Sequence, residues 1–152
     1  MNRIAATAAV LTLALAGAGA PRADLAKVRA ETRPVQRARL ALDNANAQLD
    51  SASKSYKTGG LAAARPALDE VLASVDLAKQ SLDQTGRNPR SSSDYKNLEL
   101  KTRALLKKLG ALVANMEFEE REELKPMQEA LAKIHDDTLM SIMEGQKKKG
   151  KK

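Results

Sequence analysis

Few side chains in this sequence have the type and spacing to do chemistry. The only histidine is His135, followed by Asp136 and Asp137. An imidazole beside carboxylates suits a metal or haem ligand or a general base. It also stands next to Ile134 in an apolar-periodic stretch, which places it at the edge of a helix seam, and that is the expectation. A di-iron carboxylate centre needs a Glu-x-x-His pair on each of two helices. With one His, preceded three residues earlier by Ala132, that pattern fails. The cluster Glu117, Glu119, Glu120, Glu122 and Glu123 has the charge to hold a hard cation. An acidic, solvated helix start accounts for it more simply. The chain has no Cys, so thiolate metal sites, disulfides and a Cys nucleophile are excluded. A Ser or Thr nucleophile would need the lone His or a buried Lys as its base. Ser91-Ser92-Ser93 reads as linker, and Thr58-Gly59-Gly60 as a turn without the Lys and flanking strand of a phosphate loop. The expectation is therefore no enzyme, no catalytic residue, no metal and no cofactor.

The elements that would position these residues are all helical by pattern. Aromatics are 2% of 152 residues and Trp is absent, while the chain is rich in the helix formers Ala and Leu. Four stretches carry apolar residues at alternating spacings of three and four, the pattern of a coiled-coil seam. The first holds Val35, Ala38, Leu42, Ala45, Leu49, Ala52 and Tyr56, with Leu25 and Val28 extending it upstream. The second is Leu61, Ala64, Leu68, Val71, Val75, Ala78 and Leu82; the third is Tyr95, Leu98, Thr102, Leu105, Leu109, Leu112 and Met116. A less regular fourth has Leu124, Met127, Leu131, Ile134, Thr138 and Ile142, with Leu139 and Met143 beside them. Because much of the 43% apolar content is Ala, which buries little area, the core should be thin.

Breakers fall between the runs. Gly59-Gly60 ends the first helix, and the polar stretch 85–93 separates the second from the third, with Asp94 expected as its cap and Ser93 sharing the role. Pro66 and Pro126 each lie a turn or more into a helix and should kink it unless they mark its first turn. The fold class expected is all-α: two antiparallel helical hairpins, 24–84 and 94–145, closing as a four-helix bundle about the linker 85–93.

The first twenty residues have the order of a secretory signal peptide. Arg3 gives a basic start, Ile4 to Ala16 is an apolar run too short to span a bilayer, and small residues follow to Ala20. Cleavage is expected at about residues 18–20, with export to a bacterial periplasm or exterior. The segment 146–152 has no apolar residue and reads as a disordered Lys-rich tail. Of the formal net charge of +7, Arg3 contributes one and Lys147, Lys148, Lys149, Lys151 and Lys152 contribute five, so the body is left near +1. Those five lysines are candidates for weak contact with an anionic membrane or polymer, as is the basic run Arg22, Lys27, Arg29, Arg33, Arg37 and Arg39. Sequence-specific nucleic-acid binding is not expected, because neither aromatics nor a reading motif accompany the charge.

Two local likenesses carry no function over. Tyr56-Lys57-Thr58-Gly59-Gly60 resembles the turn inside a tetratricopeptide repeat. At that family's spacing its small Ala falls on Arg65 and its bulky Phe position on Asp69. Export, size and helix count are similar to the periplasmic cytochrome bundles, which hold haem between a Met early in the first helix and a His in the last. Here no Met occurs between residues 2 and 115. Shifting the chain by 60 residues superimposes the first seam on the third and Pro66 on Pro126, the form of a duplicated hairpin, although identities are few. What remains is an exported helical interaction or scaffold protein, with a protein partner or self-association. The alternatives are a bundle that carries a ligand or cofactor, and an electrostatic binder acting through the Lys tail.

Overall fold

A computed structural model describes residues 25–145; the expected signal segment and the Lys-rich tail lie outside the described residues. The elements are α1 (Leu25–Ala30), α2 (Pro34–Asp83), a 3₁₀ turn (Pro89–Ser91), α3 (Ser93–Val113) and α4 (Phe118–Glu144). No strand occurs among the described residues, and four helices pack against one another. The all-α expectation holds.

Leu25 and Val28 do not extend the first seam helix as expected; they belong to the separate α1. The break at 31–33 has a local cause. Pro34 cannot donate a backbone hydrogen bond and disfavours helical geometry at the residue before it, so Arg33 is extended and Pro34 opens α2.

α2 reverses direction inside its span. Gly59 (φ −144°, ψ 15°) and Gly60 (φ 68°, ψ −163°) are non-helical, and Thr58 closes the first arm by donating its hydroxyl to the Ser55 carbonyl at 3.1 Å. Across the turn, Arg37 bonds Ser81 at 2.8 Å, Asn44 bonds Ser74 at 2.9 Å and Gln48 bonds Glu70 at 3.1 Å. Partner numbers fall as the first numbers rise, so arm 61–83 runs back along arm 34–58. α2 and α4 both continue through their internal prolines, Pro66 and Pro126.

α3 lies beside the first arm, with Lys101 on Asp43 at 2.6 Å and Lys108 on Asp50 at 2.8 Å. α4 meets the second arm where Arg65 donates to Glu123 at 2.6 Å. Each of these three pairs joins residues 58 apart, close to the shift that superimposes the seams.

The second and third seams are buried throughout, as are Ala38, Leu42, Ala45, Leu49 and Ala52 of the first and Leu124, Met127, Leu131 and Thr138 of the fourth. The core has two parts. The larger gathers around Leu49, Leu68, Leu109, Leu124 and Leu131, and the smaller around Val28, Leu42, Leu82, Tyr95 and Leu98. Buried polar groups lie between them: Asn44 on the first arm, Glu99 and Thr102 on α3, Thr138 on α4. Both threonines return their hydroxyls to the carbonyl four residues earlier at 2.7 Å, which satisfies a buried donor locally.

The starts of α3 and α4 are capped by side chains. Ser92 is the cap of α3, its hydroxyl accepting from the Tyr95 N–H at 3.5 Å. Asp94, expected in that role, lies inside the first turn and pairs with Arg39 and Arg87 instead. α4 starts on a capping box in which Glu117 and Glu120 exchange side-chain and backbone bonds.

Candidate functional site: a groove between α2 and α4

Where the second arm of α2 runs beside α4, an open groove of about 600 Å³ is lined by Asp69, Leu72, Ala73, Asp76, Ala130, Lys133, Ile134 and Asp137. The spacing of three and four on both helices explains it. Val71 and Val75 point into the core, so Leu72 and Ala73, one and two positions on from Val71, lie beside it toward the surface, and Ala130 and Ile134 match them on α4. Ala73 and Ala130 are too short to close the gap, and the floor of the groove is apolar.

Its rim is acidic. Asp69 and Asp76 are exposed, Asp76 accepting only a neutral amide from Gln80 at 2.6 Å. Lys133 is engaged by Asp137 at 2.8 Å, and that bond holds its ammonium above the usual lysine range. Three carboxylates against one ammonium leave the rim negative.

The equivalent crease between the first arm and α3, lined by Leu42, Asp43, Asn46, Lys101, Ala104 and Leu105, is smaller, about 250 Å³, and is bridged by side chains. Lys101 crosses it to Asp43, and Lys108 reaches Asn46 at 2.9 Å and Asp50. In the groove on α4 the inter-helix pair is Arg65–Glu123, which lies beyond its end. One of two similar creases is thus bridged, and the other is open and apolar.

His135 stands on the opposite side of α4 from the groove. Its Nε2 lies 3.0 Å from Glu99 Oε1 and its Nδ1 lies 3.0 Å from Asp136 Oδ1, and Arg103 Nε donates to the same Glu99 oxygen at 2.9 Å. Burial pushes the Glu99 carboxyl up, but the bonds from Arg103 and His135 outweigh it and hold the group below the ordinary value of 4.5. This is a clasp joining α3 to α4, and it matches the expected seam-edge position of the histidine. The acidic cluster caps and braces α4, and Ser91 and Ser92 lie in the linker. No group of three or more His, Cys, Asp or Glu suited to a metal occurs among the described residues. None of the described helices is long and apolar enough to cross a membrane.

Asn44 Oδ1 is buried without a partner, while its amide donates to Glu70 and Ser74. Comparison with family models, with curated proteins and with solved structures finds no significant match.

Proposed function

We propose that this chain is an exported, non-enzymatic interaction protein that works by receiving a partner helix in the groove between α2 and α4. In this reading the helices close as two antiparallel hairpins in a four-helix bundle, and the bundle is a rigid platform for the groove. The observation that carries the proposal is the wide crease floored by Leu72, Ala73, Ala130 and Ile134 with no ion pair across it, where the similar crease between the first arm and α3 is smaller and bridged by ion pairs. A helix laid in a groove is held by apolar anchors at positions i, i+3, i+4 and i+7, and two flanking helices with small residues provide that seat. The acidic rim selects the partner's chemistry: an amphipathic helix with an Ala/Leu stripe flanked by Lys or Arg. Export is supported by the basic, apolar, small-residue order of residues 1–20.

A photo-cross-linking residue in place of Ala130, in the full chain expressed in its native envelope, tests the reading. A discrete adduct from position 130, absent when the same residue replaces exposed Ala111 on α3, is expected. No adduct at 130, or the same adducts from both positions, would overturn it.

A further inference from the structure

Both ends of the described chain and the α2–α3 linker meet at one end of the molecule. Arg37 Nη1 donates to the Glu31 carbonyl at 3.0 Å and its Nε to Ser81 at 2.8 Å, tying the start of α2 to its finish. Arg39 and Arg87 both bond the buried Asp94, at 2.9 and 3.0 Å, which brings in the linker and the start of α3. Leu25 of α1 and Ile142 of α4 pack on the same small core. Gly145, just past α4, is close against the linker: a Cβ there would lie 3.5 Å from Asn88 Oδ1 and 3.6 Å from Arg90 Cβ.

This gathering concentrates positive charge that is scattered in the sequence. The carboxylates Glu31 and Asp94 are neutralised by Arg33, and by Arg39 with Arg87. Asp83 is held by Lys79. Exposed Lys27, Arg29, Arg90 and Lys96 have no ion pair among the described residues, against exposed Glu144. In the sequence the five tail lysines follow within seven residues of Gly145. Met140 (52% exposed) and Met143 (65% exposed) stand on the last turns of α4 at this same end.

We infer that this basic end, with Met140 and Met143 beside it, is a docking surface for an anionic lipid bilayer. Anionic headgroups attract each Lys or Arg close to the surface. The two methionines add apolar area that an acyl boundary rewards and a soluble polyanion does not. The surface is independent of the groove, because none of its residues lines it.

The test is flotation of the full chain with phosphatidylcholine vesicles with and without 30% phosphatidylglycerol. Binding to the anionic vesicles alone is expected, with release in high salt. R29A with R90A should weaken it about 25-fold, near fivefold per charge. Truncation at Gln146 should weaken it further, and M140S with M143S should weaken it without changing the salt dependence. Circular dichroism checks that helicity is kept in each variant. Binding that depends on the tail alone, unmoved by R29A with R90A, would overturn the inference. So would binding insensitive to the two methionines and matched by soluble polyphosphate, which would make the surface a polyanion site. Cross-linking from Ala130 should survive all of these changes, so failure here is distinguishable from failure of the groove.

Discussion

The Tyr56 hydroxyl donates to the Glu120 carboxylate at 2.7 Å, joining the last turns of the first arm of α2 to the first turn of α4. Glu120 also accepts from the Glu117 N–H at 3.2 Å and from the backbone of Leu61. One side chain thus holds three helix ends at the turn end of the molecule. The Tyr56 bond is the largest of the effects on this carboxyl and, with the two backbone bonds, outweighs desolvation to hold it below the ordinary range; the same bond pushes the Tyr56 phenol up.

Removing Glu120 should therefore cost more than removing its partner. Glu120→Ala is expected to lower the urea midpoint by more than Tyr56→Phe. In the double variant the losses should not add, because both changes delete the shared bond. Additive midpoints in equilibrium denaturation would show that the bond contributes nothing.

Gly60 carries a positive φ with extended ψ, a region that side chains rarely enter. Gly60→Ala should destabilise the fold by about 1–3 kcal/mol. Gly59→Ala meets a different obstacle, since its Cβ would lie 2.7 Å from that of Ala63. Chemical denaturation of the two variants measures both; an unchanged midpoint in Gly60→Ala would contradict the reversal described for α2.

The Glu99 clasp gives stability a pH dependence with a definite sign. Its folded-state carboxyl titrates below 4.5, so its contribution is complete above that value and is lost as pH falls through the lower folded one. The titratable and charged groups around it are Arg103 on its own helix and His135 with Asp136 on α4. Glu99→Gln should be less stable at neutral pH and should lose less stability on acidification below about 4.5. Urea midpoints measured from pH 3 to 7 that fall in parallel for the two proteins would exclude the clasp as the cause.

Much of the fold was legible because burial follows a repeating pattern. Leu68, Val71, Val75, Leu105 and Leu109 lie where their spacing puts them, and Gly59-Gly60 turns the chain. Polar burial was not legible. Asn44, Gln48 and Ser74 look like surface residues by type, and only the meeting of the two arms of α2 supplies their partners. Ser92 takes the cap of α3 because Arg39, 55 residues upstream, and Arg87 claim the Asp94 carboxylate. The groove leaves a faint sign in the sequence, outside the seams. Leu72 and Ala73 follow core residue Val71, and carboxylates recur seven apart at Asp69 and Asp76. Whether such a second stripe is covered or open depends on which helix lies alongside, and local spacing does not encode that.

The most direct test of partner docking in the groove is the native mass of the assembly. Light scattering on protein isolated from its native source without denaturant should give a species heavier than a single chain, which weighs at most 16.4 kDa. Ala73→Trp fills the groove from its half-exposed floor, and should reduce that species to the monomer while leaving helicity unchanged. A monomer in both proteins, or the same heavy species in both, would contradict the groove as the docking site.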